Sequence, residues 1–186
     1  MDSLEIYDQY YAKVRTFILS YVRDEWIADD LIQETFARAQ EKLENLKEPS
    51  KLSSWIYRIA YNLCQDHFRS LKKSPSHGGS SQQKMGDLKD VLMEKQLEQS
   101  QMGQCVQNQM DFLPESLRIV IILYEIMELS HREVSEILGI TVENAKVRLH
   151  RARKRLKSIL EEKCSFEMDE RNVLVCDPVK GEAHKP

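Results

Sequence analysis

Glycine and proline are scarce, six and five residues in a chain of 186. Both disfavour helix interiors, so their scarcity leaves room for long uninterrupted helices. Long apolar runs are missing too. No stretch approaches the roughly 18 residues that indicate a membrane span, so no membrane insertion is expected. The opening Met1-Asp2-Ser3-Leu4-Glu5 is acidic and lacks a signal peptide's basic start and apolar core, and a cytoplasmic location is the expectation. The four cysteines, Cys64, Cys105, Cys164 and Cys176, are scattered and form no Cys-x-x-Cys pair. In a reducing compartment each is expected to be a small buried hydrophobe or a free thiol. No glycine-rich phosphate loop appears, and the five histidines (His67, His77, His131, His150, His184) are dispersed, with no tight acid or His cluster at metal-ligand spacing. Neither an enzyme nor a cofactor is implied.

What is present suits a helix-rich globular protein: 41% apolar and 31% charged residues. The net charge of −3 does not suggest a DNA-binding protein, but its distribution does. Residues 1–50 carry eleven acids against six bases, a net −5, whereas residues 141–160 carry seven bases against one acid, a net +6. Such polarity suits an acidic surface for one partner and a basic one for a polyanion.

Apolar residues recur at helical spacing through the first half. Ile6, Tyr10, Val14, Phe17 and Tyr21 predict a helix over 4–21. Ala28, Ile32, Phe36, Ala39 and Leu43 predict a second over 25–46, with Asp24 as its cap. Pro49 breaks the chain, and Ile56, Ile59, Ala60 and Leu63 mark a third helix over about 53–71. One helical domain thus covers 1–73. Residues 74–87 continue a polar stretch that begins at Lys72 and holds three Gly and a Pro, a flexible linker by composition. A second helical domain covers 88–160, with Pro114 at a helix start and the all-apolar run Ile119–Tyr124 as a central core helix. The expected fold class is all-α: two small helical domains, a flexible linker between them, and a helix-turn-helix in the second.

That helix-turn-helix is spelled out over 130–160. Ser130 and Glu133 form the S-x-x-E pattern of a capping box. Val134, Ile137 and Leu138 supply a buried face, and Gly139 stands where a helix ends in a left-handed residue. Ile140 can plug the turn and Thr141 can cap the next helix, whose Val142, Ala145, Leu149, Ala152 and Leu156 step by three and four. The apolar stripe anchors that helix and leaves Lys146, His150, Arg151 and Arg153 to the solvent. A helix fits the major groove, where Arg and Lys reach guanine edges or phosphates. By itself this motif fits any bacterial regulator.

The first domain narrows the choice. Asp29-Asp30-Leu31-Ile32-Gln33-Glu34-Thr35-Phe36 and Trp55-Ile56-Tyr57-Arg58-Ile59-Ala60-Tyr61-Asn62 resemble two core motifs of the extracytoplasmic-function (ECF) sigma factors of the sigma-70 family. Leu113-Pro114-Glu115-Ser116-Leu117-Arg118 and the helix-turn-helix resemble their second domain, so the resemblance spans residues 4–160 in order. It implies core RNA polymerase and promoter DNA as partners, with an anti-sigma factor as regulator. On matching positions it implies that Asp29, Asp30, Gln33 and Glu34 bind polymerase. The segment from Leu46 to Asn62 would capture the −10 element, with Lys47–Ser54 as pocket wall and Asn62 reading an extruded base. Trp55, Tyr57 and Tyr61 are aromatics of the kind that stack on single-stranded bases, the competing expectation being that they belong to the core, and Arg58, Arg69, Lys72 and Lys73 would hold the backbone. Lys146, Val147, His150 and Arg151, with Arg148 and Arg153 beside them, would face the −35 element. The competing reading is a helix-turn-helix regulator that binds duplex DNA without polymerase and senses a ligand through residues 1–73.

Residues 161–186 form a tail. Cys164-Ser165-Phe166-Glu167-Met168 and Val173-Leu174-Val175-Cys176 flank a polar turn and suggest a short β-hairpin. With the turn centred on Glu170, Cys164 faces Cys176, which would suit a redox pair or a metal site completed by His184 or Asp177. The competing expectation is a hairpin packed on its domain with inert thiols.

Overall fold

The fold is taken from a computed structural model that describes residues 3–46, 48–73, 103, 106–168 and 174–178; for 3, 73, 165–168 and 174–178 only the backbone is described. By contacts the chain divides into two compact units. One comprises Met1–Asp87 with Ile122–Val147, the other Leu88–Ile121 with Arg148–Pro186. The linker and the start of the second helical block, residues 74–102, lie outside the described residues.

In the first unit, α1 (Ser3–Val22), α2 (Glu25–Lys42) and α3 (Leu52–Lys73) pack against one another. The expected stripe of α1 is buried through Ile6, Val14, Phe17 and Tyr21, joined by Ile18. Tyr10 is only half-buried, with its phenol pKa raised by burial. Arg23, in the left-handed region at φ 61°, ends α1 and returns its N–H to the Leu19 carbonyl at 3.0 Å. Asp24 then caps α2 as expected, accepting from the Ile27 N–H at 3.0 Å. Ala28, Ile32 and Ala39 face inward, but Thr35 rather than Phe36 completes the buried set. Thr35 satisfies its hydroxyl by donating to the Leu31 carbonyl at 2.6 Å. Phe36 sits half-buried in an aromatic cluster, 4.9 Å from Tyr7 and 6.4 Å from Tyr11 between ring centres.

A 3-10 turn at Pro49–Lys51 leads into α3, which buries Leu52, Ile56, Ala60 and Leu63 as its core stripe, with Tyr57 and Cys64 beside it. Tyr57 meets Phe17 edge-on at 5.6 Å, and Tyr21 meets Phe68 edge-on at 5.4 Å. Each fully buried large side chain of this kind contributes about 1.5–3 kcal/mol, so the three-helix core outweighs any single cap. The same unit contains α5 (His131–Leu138), which packs on α3. Ser54 Oγ lies 3.1 Å from Glu136 Oε2, a hydrogen bond across 82 residues of sequence.

In the second unit, residues 106–109 are helical and run into a 3-10 turn at Met110–Phe112. Leu113 is extended at ψ 143°, as the residue before a proline prefers. Pro114 stands just before α4 (Glu115–Ile121), its carbonyl accepting from the Leu117 and Arg118 N–H groups at 2.9 and 3.0 Å. Ile119, Val120 and Ile121 are buried, as their all-apolar context requires. Lys163 covers the exposed ring of Phe112 at 3.5 Å from its centre.

The chain then follows a π-helical turn, Ile122–Ile126, whose Met127 N–H reaches the Ile122 carbonyl at 3.0 Å. After α5 comes α6 (Val142–Lys163), a helix of 22 residues. It ends in an antiparallel pair of strands, β1 (Cys164–Met168) and β2 (Leu174–Pro178). The expected register is corrected here. Cys164 pairs with Pro178 and Phe166 with Cys176, so the pairing centres one position later than Glu170. Cys176 is thereby a diagonal neighbour of Cys164. Such positions sit about 7–8 Å apart, beyond comfortable disulfide reach.

Candidate functional site

Three solvent faces carry the residues singled out from sequence. The most local in origin is the helix-turn-helix. Ser130 Oγ accepts from the Glu133 N–H at 3.3 Å while Glu133 Oε2 accepts from the Ser130 N–H at 2.8 Å, the reciprocal capping box. Gly139 closes α5 at φ 64° and ψ 37°, and the N–H groups of Gly139 and Ile140 both return to the Ser135 carbonyl. Thr141 Oγ1 accepts from the Asn144 N–H at 3.1 Å and so starts α6. The two helix starts are capped by side chains and the helix end by backbone N–H groups, all within five residues, which is why the sequence specifies the turn so directly.

Along α6, Ala145, Leu149, Ala152 and Ile159 are buried, with Leu156 half-buried between them. At about 100° per residue these occupy an arc of about 80°, and Lys146, Val147, His150, Arg151 and Arg153 fall in the opposite arc of about 160°. All five are exposed, Val147 by 48%. Lys154 is exposed near the centre of this face and was missed because it lay outside the family motif. Arg148 differs: it is half-buried on the flank of the apolar stripe.

The second face belongs to α3. Arg58, Asn62 and Arg69 are exposed and Trp55 is half-buried. With Asp66 they fall within an arc of about 80° on one helix. Arg69 pairs with Asp66 at 2.9 Å, both well exposed. Such a pair contributes about 0–1 kcal/mol, little enough for Arg69 to exchange it for a phosphate. Tyr61 lies on the flank, half-buried, its ring 6.2 Å from that of Tyr21. Tyr57 is a correction: at 1% exposure it is a core residue and cannot stack on a base. Burial, then the nearby Tyr10 and Glu133, raises its phenol pKa well beyond the usual range. Of the pocket-wall loop, Lys47 lies outside the described residues, Ser54 is buried, and Lys51 pairs with Glu48 at 3.0 Å. Lys72 is exposed, and the side chain of Lys73 lies outside the described residues.

The third face is on α2. Asp29, Asp30, Gln33 and Glu34 are all exposed. Glu34 holds Arg38 at 2.7 Å. Asp29 and Asp30 make no ion pair among the described residues. Trp26, on the same side, is the most exposed large apolar residue of those described, at 79%, and the sequence motif does not include it.

The tail offers less. Cys64 and Cys164 are free and buried, and burial pushes the Cys64 thiol up to about 12. Cys105, the Cys176 side chain, Asp177's side chain and His184 lie outside what is described. Among the described residues no group of three His, Cys, Asp or Glu side chains is placed to hold a metal, and no helix is long and apolar enough to cross a membrane.

Fold and faces together define a class: a protein helical apart from its C-terminal strand pair, built around a capped helix-turn-helix, with basic and acidic surfaces on different helices. Comparison with known proteins supplies the family. Residues 6–74 match sigma-70 region 2 and residues 103–156 match sigma-70 region 4. RNA polymerase sigma factor SigZ of Bacillus subtilis (strain 168) is 34% identical over 174 residues, 91% of this chain and 93% of SigZ. ECF RNA polymerase sigma factor SigM of the same organism is 34% identical over 155 residues, 83% of this chain and 93% of SigM. Among solved structures, the sigma factor RpoE of Bartonella quintana, crystallised with the anti-sigma factor NepR, has a TM-score of 0.66 at 22% identity, covering 84% of this chain and 95% of RpoE. CnrH, in complex with the cytosolic domain of CnrY, has a TM-score of 0.62 at 22% identity, covering 86% of this chain and 88% of CnrH. These two likenesses speak to fold alone. The chain belongs to the sigma-70 family, in its ECF group. It is therefore an alternative sigma factor, a protein of transcription initiation, and the polymerase-independent regulator is not favoured.

Proposed function

We propose that the three faces divide the work of initiation between two partners. Asp29, Asp30, Gln33 and Glu34 on α2 dock the chain on core RNA polymerase. Arg58, Asn62 and Arg69 on α3, with Trp55 at the helix start and Tyr61 on its flank, engage the −10 element as it opens. Lys146, Val147, His150, Arg151, Arg153 and Lys154 on α6 contact the −35 element, with Arg148 supporting from the flank. In domain terms, residues 1–73 bind polymerase and melt the promoter, 74–87 are the tether, and 88–160 hold the −35 duplex. The chain works without a catalytic group or cofactor of its own, in the cytoplasm, and an anti-sigma factor restrains it.

The observation that carries this reading is the pairing of two sigma-70 regions in order with three separate exposed faces, one acidic, one mixed and one basic. Unstacking a promoter base costs a few kcal/mol, which pockets and backbone contacts must offset. A helix presenting arginines and an amide to solvent suits that task. The −35 face is mostly cationic, so its duplex affinity falls steeply with salt. The test is promoter opening followed by permanganate reactivity of thymines near the start point. With core polymerase plus this chain, reactive thymines appear. With the chain alone the duplex stays closed and is bound weakly. Tight, specific duplex binding without polymerase would refute the proposal.

A further inference from the structure

We propose that Trp26 is the apolar anchor of the α2 docking face, seated in an apolar recess on a basic surface of core RNA polymerase. The inference rests on the sigma-factor reading and adds to it a residue outside the Asp29–Phe36 motif. Trp26 is 79% exposed and takes part in no ring contact among the described residues. The other exposed aromatics are occupied. Tyr7 packs on Tyr11 and Phe36 at 5.0 and 4.9 Å, and Phe112 lies under Lys163.

Helical phase places Trp26 at the middle of the face. At about 100° per residue, Gln33 lies about 20° to one side and Asp29 about 60°; Asp30 lies about 40° to the other side and Glu34 about 80°. A central tryptophan ringed by polar groups is the usual arrangement of an interface hot spot. The backbone beneath it is already fixed, by the Asp24 cap on Ile27 and by buried Ala28 and Ile32. Little ordering is therefore left to lose on binding.

Charge selects the occupant. Asp29 and Asp30 flank the indole without an ion pair among the described residues, so a basic partner completes them. A second copy docking through the same face would set these carboxylates against their own kind, which disfavours self-association.

The experiment compares the full chain with Trp26→Ala, Trp26→Phe and, as a control for another exposed apolar residue, Leu4→Ala. Affinity for core RNA polymerase is measured by competition, with self-association followed by sedimentation and folding by thermal melting. Trp26→Ala is expected to weaken core binding at least about thirtyfold without lowering the melting temperature. Trp26→Phe should recover part of the loss and Leu4→Ala should stay within about threefold of wild type. Trp26→Ala binding core as tightly as wild type overturns the inference, as does a wild-type dimer lost in Trp26→Ala with core binding intact. Wild type failing to bind core at all would overturn the sigma-factor reading itself, an outcome visible before any variant is compared.

Discussion

Replacing Gly139 with alanine isolates the conformational term of the helix-turn-helix. Gly139 sits at φ 64°, and a Cβ built there meets nothing within 4 Å. The substitution therefore adds no clash, and its cost is that of holding an L-residue in the left-handed region, about 1–2 kcal/mol. Alanine also narrows the unfolded ensemble, which returns about 0.4–1 kcal/mol. The net expectation is a loss of about 1 kcal/mol, or about 2–4 °C in melting temperature for a chain of this length. Asparagine tolerates this region better than alanine and valine much worse, so stability should fall in the order Gly, Asn, Ala, Val. Urea denaturation of the four proteins measures the series. An alanine variant as stable as wild type would refute the conformational argument. A loss above about 3 kcal/mol would show a steric term that the open space at Gly139 excludes.

Ser130→Ala and Glu133→Ala each remove one arm of the capping box and should each cost about 1 kcal/mol; because the arms share one motif, the double variant should cost clearly less than the sum. Arg151→Ala, at an exposed position, should leave the melting temperature unchanged. It should weaken −35 binding about five- to 150-fold if it reads a base, or lower the salt dependence by about one ion if it holds a phosphate. Alkaline pH should destabilise the fold. The Cys64 thiol is raised from 9.0 to about 12 by burial, so the folded state holds its proton longer than the unfolded state does. That contribution is fully present below pH 9.0 and is lost as pH rises from there toward about 12, with Tyr57 acting in the same direction. Urea midpoints at several pH values should fall across this window, and Cys64→Ala should shallow the fall; an unchanged slope would count against the assignment.

The parts legible in the sequence are those whose physics is local. Asp24, Ser130, Glu133, Gly139 and Thr141 each act on a backbone group within four residues, so residue type and spacing announce them. Helix α3 shows where local reading fails. Tyr57 reads as a base-stacking aromatic by type, but its place beside Ile56 and Ala60 turns it into the core against Phe17. Thr35 likewise displaced Phe36 from the buried set, because a hydroxyl that returns to its own helix can be buried while a large ring needs room. The hairpin register was missed by one position, since register depends on which cross-strand partners pair and a polar turn leaves that choice open. The Ser54–Glu136 bond joins residues 82 apart and leaves no trace in any window. Trp26 escaped notice for a different reason: exposure, not residue pattern, is what sets it apart.

The most direct test is start-site mapping with purified core polymerase on a fragmented genomic library, with and without this chain. The account predicts a small set of discrete start points that appear only with the chain, share sequence near −10 and −35, and vanish when Arg58 and Asn62 are both replaced by alanine. Transcription that is unchanged by adding the chain, or starts scattered without common upstream sequence, would contradict it.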